Sequence, residues 1–406
     1  VHLRGKATAV IGMRRSGKTT YLHQLRAERL QDGVKPQHLP YWNFEDERLR
    51  DIEQADLTKL FHEYLRQQPD AQRPGTMLCL DEVQLVPGWE RFVRRLLDTE
   101  PFDVFISGSS AAMLSREVAT SMRGRGWEVV VHPFSFDEAL RHAGVEVNPG
   151  KWTTRQRASV DSHLVSYLTS GGFPEVQGLD APTRLRVLRD YVDVVILRDI
   201  VERHSITSTT ALRWLVRHLL PNAGASFSVQ KFFDALKSQG LRIGKDTLHD
   251  LLAHLTDCFL VRTVWLETDS ERRRMVNPRK VYPVDPGLIA LFDRSGKANI
   301  GHALENAVLI ELERRGAETS YVRTKAGHEV DFLARMPDGK SELIQVTMSA
   351  SDADTATREL RALVEAAAET PNATLHLVVL DPDGLPRSAP ENVAVHTAAE
   401  WLLGRR

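Results

Sequence analysis

The sequence predicts an α/β fold. It opens with a parallel sheet covered by helices on both faces. A helical segment, a unit of three helices with a strand pair, and a small mixed α/β unit follow. Three observations predict this. Short apolar runs alternate with helical patterns over the first third of the chain, the arrangement that sets strands in parallel under crossing helices. From about residue 136 the pattern turns helical and stays so for some sixty residues. The length, 406 residues, is too great for one hydrophobic core and suits two to four domains.

The elements follow in order. Residues 7–12 (ATAVIG) are an apolar run ending in glycine, and a helical pattern covers 18–30. LPYWNFED reads as a second strand ending in acids, and 57–66 as a helix. Residues 76–80 are a third apolar run, ending in Asp81 and Glu82. A helix over 89–97, a fourth strand over 103–107 (DVFIS) and a fifth over 129–132 complete the sheet. The helical stretch after 136 is broken by Gly-Gly-Phe-Pro at 171–174 and suggests a lid packed on the sheet domain. Helices over 211–220, 228–238 and 245–256 precede strands over 259–267 and 280–284, with a charged tip at 269–279 between them. That is the outline of a winged helix. After about 298 come a helix over 303–315, strands over 330–334 and 342–347, a helix over 354–367 and a strand over 374–380. The expected boundaries are 1–135 for the sheet domain, 136–203 for the lid, 204–295 for the winged helix and 296–406 for the last α/β domain.

Composition narrows the class without naming a function. Hydrophobic residues make up 42% and charged residues 26%, as in ordinary globular proteins. The net charge of −1 gives no global field for nucleic acid, so any basic surface must be local. Cys79 and Cys258 lie in apolar runs without metal-ligand or redox spacing and read as reduced core residues. No apolar stretch reaches the ~20 residues needed to span a bilayer, and the N-terminal residues lack a signal-peptide layout. A soluble cytoplasmic protein with no membrane contact is the expectation.

Gly12-Met13-Arg14-Arg15-Ser16-Gly17-Lys18-Thr19 fits G-x-x-x-x-G-K-[ST] at every fixed position, between a strand and a helix. The glycines let the backbone close around phosphate with its N–H groups inward, and the helix presents its positive end to the same anion. Lys18 is placed for the β- and γ-phosphates and the Thr19 hydroxyl for Mg²⁺. Arg15, Ser16 and Thr20 complete the residues expected around ATP. Asp81 is placed to hold the Mg²⁺ shell, and Glu82 to orient or deprotonate the attacking water. After the fourth strand, Ser109 is the candidate to read the γ-phosphate or the water; capping of the next helix explains it equally. Arg123 and Arg125 in SMRGRGWEV are candidates for a neighbouring subunit's γ-phosphate, Arg125 preferred, against the alternative of a solvated basic loop.

Taken together, AVIGMRRSGKTT, YWNFED, LCLDEVQ, FISGSS and MRGRGWEVVVHPFSFDE resemble a group within the AAA+ ATPases. These are prokaryotic ATPases whose C-terminal domain of unknown function is related to PD-(D/E)XK nucleases. GGFPEV, VILRDIVER, RRMVNPRKVYPVDPGL, GHALENAVL and HEVDF extend the resemblance over nearly the whole chain. It implies a RecA-like P-loop ATPase core with ATP and Mg²⁺ as cofactors, and makes a homo-oligomer plausible. It also implies a nuclease-like last domain in which Glu305, Asp331 and Gln345-Val346-Thr347 occupy the places of the metal-binding acids and the catalytic strand. Thr347 cannot supply the ammonium that such a site uses, and nothing places Lys325 or Lys340 there, so nuclease activity is not expected.

The predicted winged helix is the candidate DNA module. Ser228 can cap VQKFFDALKSQG, and the turn LRIG leads into KDTLHDLLAHL, which suits a helix-turn-helix. Lys245, Thr247 and His249 lie near the exposed start of that second helix. Arg272, Arg273 and Arg274, with Arg279 and Lys280, would form the wing and neutralise phosphates. Asp246 and Asp250 oppose this, and a protein-interaction role is the alternative. The function expected is ATP hydrolysis coupled to conformational change on DNA. A nucleotide-controlled switch for a protein partner and an ATP-gated nuclease are the rivals.

Overall fold

A strand that is apolar along its whole length needs cover on both faces. Ala7–Ile11 (β1), Met77–Asp81 (β3) and Asp103–Gly108 (β4) come near that condition: each is buried throughout, with Thr8, Asp81, Asp103 and Ser107 as their polar residues. The computed structural model describes residues 5–49, 51–108, 125–146, 152–293 and 299–404. The chain divides into two compact units, Val1–His132 with Asp257–Phe259, and Pro133–Thr256 with Leu260–Arg406.

The first unit holds a parallel five-stranded sheet in the order β2-β3-β4-β1-β5, with Tyr41–Asn43 as β2 and Gly126–Val130 as β5. Ile11 lies opposite Gly108, Leu80 opposite Ile106 and Asn43 opposite Asp81. β4 therefore stands between β1 and β3, and the three strands end together, where α/β sheets build their crevices. β5 begins earlier than its sequence suggests. As an edge strand it leaves Trp127 42% exposed, which breaks the apolar run that marks the inner strands. Helices Lys18–Gln31 (α1), Gln54–Gln67 (α2) and Trp89–Thr99 (α3) follow β1, β2 and β3 in the chain. α2 buries Leu57 and Phe61, and α3 buries Trp89, Phe92, Val93 and Leu96, both at helical spacing. Phe61 meets Phe92 edge-on with ring centroids 6.1 Å apart.

The second unit builds an eight-stranded mixed sheet in the order β13-β12-β11-β10-β9-β7-β8-β6. Its strands are Ser226–Phe227 (β6), Val261–Leu266 (β7), Arg279–Pro283 (β8), Glu318–Arg323 (β9), Glu329–Arg335 (β10), Ser341–Thr347 (β11), Thr374–Val379 (β12) and Val393–Thr397 (β13). The helix Ile300–Arg314 packs with Phe332, Ala334, Ile344 and Val378 in one core, and Ala362, Leu363 and Ala366 of Ala353–Glu369 with Leu333, Leu343 and Leu377 in another. Helices Thr209–Leu219, Val229–Ser238 and Lys245–Asp257 precede the antiparallel pair β7 and β8, as the sequence suggests.

Two further features depart from expectation. The charged tip between β7 and β8 holds a short helix, Glu271–Val276, because Ser270 accepts from the Arg273 N–H as a helix N-cap. In addition, β7 pairs in parallel with β9, Trp265 opposite Ser320 and Leu266 opposite Tyr321. The hairpin thus runs into the C-terminal sheet, which covers a strand edge that would otherwise be open. The sequence does not announce β9 or β13, both short and bounded by polar residues. Among the described residues no helix is long and apolar enough to cross a membrane.

Candidate functional site

The loop between β1 and α1 is shaped by two glycines. Gly12 has φ 148° and Gly17 φ 107°, values that side chains rarely adopt. A Cβ on Gly12 would lie 2.3 Å from the Val131 carbonyl oxygen, so the backbone there approaches its neighbour as only glycine allows. Lys18 is 6% exposed, and its ammonium donates to the Gly12 and Met13 carbonyls at 3.2 and 3.1 Å, folded over the loop. Ser16 is buried, and its hydroxyl has no hydrogen-bond partner among the described residues. Such an orphaned polar atom is costly unless a ligand satisfies it. Arg15, at φ 67°, and Thr20 are exposed on the loop and the first turn of α1.

The two acids stand at the end of β3. Thr19 Oγ1 donates to Asp81 Oδ2 at 2.9 Å, joining the start of α1 to the acid strand. Asp81 also accepts from the hydroxyls of Tyr41 and Ser107. Three hydroxyl donors fix the carboxylate, and two hard oxygens, from Thr19 and Asp81, sit side by side as an octahedral Mg²⁺ would use them. The loop glycines, the orphaned Ser16 hydroxyl and this oxygen pair all fit a nucleotide phosphate with Mg²⁺.

Glu82 has φ 54°, a conformation uncommon outside glycine and one that re-aims its side chain away from the strand direction. Its N–H donates to Ser107 Oγ at 3.1 Å, and Gln84 donates to its carboxylate. Burial raises the Glu82 pKa above the ordinary glutamate value, and the charge of Lys18 opposes the rise. A buried carboxylate with more than usual proton affinity is suited to take a proton from water.

The sequence points past the end of β4 to Ser109 and does not single out Ser107. Ser109 and Arg123 lie outside the described residues. Ser107 is fully buried on β4 and bridges the Asp81 carboxylate to the Glu82 backbone. The one signal for it is a hydroxyl that follows the apolar run 104–106 near the end of the strand. Ser107→Ala is expected to lower kcat for ATP roughly tenfold while leaving ATP affinity nearly unchanged, since a hydrogen bond of about 1–1.5 kcal/mol is removed from the acids alone. Equal kcat in wild type and Ser107→Ala by phosphate-release assay would remove this positioning role. Arg125 is half exposed and pairs with Asp98 of α3, which ties its guanidinium to its own chain.

In the second unit, Arg272, Arg273 and Arg274 are exposed on the short helix after Ser270, beside exposed Met275 and Val276. Arg279 stacks on Trp265, its guanidinium carbon 4.1 Å from the ring centroid. Lys245 and His249 are exposed and Thr247 half-buried, at the start of Lys245–Asp257. Lys280 is not part of a phosphate-facing wing. It is 3% exposed and lies 3.2 Å from Glu305, 3.0 Å from Glu329 and 3.0 Å from Asp331. The alternation of β8 explains the difference, as neighbouring residues on a strand face opposite sides. Burial alone would lower the Lys280 pKa, but the carboxylates of Asp331, Glu305 and Glu329 reverse this and hold it protonated. Lys325 and Lys340 stay out of the cluster: Lys340 pairs with Asp338, and the Lys325 backbone donates to Glu369. Thr347 donates to the Ser349 carbonyl.

Three known families match successive parts of the chain. The family described as an AAA domain matches residues 4–140, and two families described as domains of unknown function match 161–297 and 300–396. The chain is 32% identical over 387 residues to the uncharacterized protein MJ1544 of Methanocaldococcus jannaschii, covering 93% of this chain and 83% of that protein. It is 30% identical over 329 residues to an uncharacterized protein of Haemophilus influenzae, covering 81% of this chain and 79% of the other. Among solved structures, the Walker-type ATPase PABY2304 of Pyrococcus abyssi aligns at 15% identity with a TM-score of 0.43, over 70% of this chain and 90% of that one.

Proposed function

The chain belongs to the family of these archaeal and bacterial proteins, its own first domain is of the AAA type, and from that premise we propose that it hydrolyses ATP with Mg²⁺ and couples the cycle to conformational change on DNA. The observation that carries the reading is the Thr19–Asp81 hydrogen bond. It joins the phosphate loop to the acid strand with a Mg²⁺-compatible oxygen from each side. Bound Mg²⁺ would neutralise charge on the β- and γ-phosphates. Thr19 and Asp81 would hold it, while Lys18 leaves the Gly12 and Met13 carbonyls to contact the same phosphates. Loop N–H groups and the start of α1 would cradle the anion. Glu82 would take the proton of the attacking water, its carboxylate held by Gln84 and its backbone by Ser107. ADP and phosphate leave, and the proton passes from Glu82 to solvent.

The DNA part rests on the exposed arginines. Arg272, Arg273 and Arg274 offer phosphate contacts without a set of base-reading side chains, so binding should be tolerant of sequence. Replacing all three by alanine is expected to weaken binding to every duplex alike and to flatten the salt dependence, the slope falling by up to about 0.9 for each phosphate no longer neutralised. Fluorescence anisotropy across a salt series checks this; unchanged affinity at low salt clears these residues of the role. The proposal as a whole is tested by the ATPase rate with and without single-stranded, duplex and branched DNA. Stimulation by one of them supports coupling. A rate indifferent to all three, with a tight protein partner instead, favours a nucleotide-controlled switch.

A further inference from the structure

We propose that Lys280 is the built-in cation of the C-terminal acid centre, standing where a divalent metal would need to bind, and that the centre is an ionic joint closed to Mg²⁺ and Mn²⁺. Four residues from three elements meet there. Lys280 comes from β8, Glu305 from the helix Ile300–Arg314, and Glu329 and Asp331 from β10. An ammonium has three N–H donors, and Lys280 has three carboxylates within 3.0–3.2 Å, one for each.

Each carboxylate is also satisfied a second time. Tyr282 donates to Glu305 at 2.7 Å, Arg323 pairs with Glu329 at 3.0 Å, and the Val346 N–H donates to Asp331 at 3.0 Å. Gln345, which the nuclease-like pattern would make a ligand, is turned elsewhere. Its oxygen accepts from the Asp331 N–H at 3.2 Å and its nitrogen donates to Glu359 at 2.8 Å. The register of β10 against β9 shifts between Val330 and Leu333, across Asp331 and Phe332. Glu329 and Asp331, two residues apart on β10, share the face that meets Lys280.

A divalent ion at 2.0–2.1 Å from its oxygens and a protonated amine 3.0 Å from the same oxygens cannot share the position. The acids that the nuclease resemblance assigns to a metal thus do not fit one while Lys280 is in place. They fasten the β7–β8 hairpin to the C-terminal sheet through a buried ion cluster. This is independent of what the nucleotide site does.

The experiment counts bound Mn²⁺ by electron paramagnetic resonance in the nucleotide-free 406-residue chain. Wild type and Asp331→Asn should give equal counts, because the centre takes no metal. Lys280→Ala should gain one Mn²⁺, and Asp331→Asn added to it should remove that ion again. A wild-type count that falls by one in Asp331→Asn overturns the assignment, as does a folded Lys280→Ala protein that gains no Mn²⁺. If Lys280→Ala does not fold, the comparison of wild type with Asp331→Asn decides alone: equal counts uphold the joint, unequal counts sink it.

Discussion

Lys18→Ala is expected to abolish steady-state ATP turnover and to weaken ATP binding by roughly 10- to 100-fold. The ammonium is a buried charge with the loop carbonyls as its partners, within reach of any phosphate the loop encloses. A hydrogen bond to a charged group is worth about 1.5–3 kcal/mol, which converts to that range in affinity. The loss in rate should be larger than the loss in binding, because charge on the transferring phosphate builds up toward the transition state and the role proposed for Lys18 is to meet it. The alanine variant should fold, since the loop's geometry is set by Gly12 and Gly17. Turnover close to wild type in a folded Lys18→Ala protein, with circular dichroism unchanged, is the result that contradicts the assignment.

Glu82→Gln should behave differently. The amide keeps the size of the side chain and its contact with Gln84, so ATP should bind with wild-type affinity. Hydrolysis should fall roughly 10²-fold or more, the usual contribution of a positioned base. The pH profile separates a base from a spacer. Burial raises the Glu82 pKa, so the group stays protonated, and useless as a base, to a higher pH than an ordinary glutamate would. Wild-type kcat should therefore rise with pH through that raised value and then level off. In Glu82→Gln the residual rate should lose this rise. Identical profiles in the two proteins would show that another group takes the proton.

The parts of the site that are legible in the sequence are those whose meaning is local. Gly12 through Thr19 needs only a strand, a loop and a helix in succession, and the structure brings Thr19 to Asp81. Asp81 and Glu82 are legible because they end an apolar run. Ser107 is not, because its role comes from the register of β3 against β4, which lays it beside both acids. Lys280 reads as part of a charged tip because it follows Arg279. Its burial depends on β8 alternating between two faces and on Glu305, Glu329 and Asp331 arriving from distant stretches. The same holds for the sheet itself: the pairing of β7 with β9 joins residues far apart in the chain, and no periodicity within either strand announces it.

The central claim is tested most directly by single-turnover hydrolysis of ATP by the wild-type protein, with Mg²⁺ and with EDTA, alongside ATP binding under the same conditions. The expected result is saturable binding with phosphate released only when Mg²⁺ is present. Absence of saturable binding, or phosphate release that persists in EDTA and in Lys18→Ala, would contradict it.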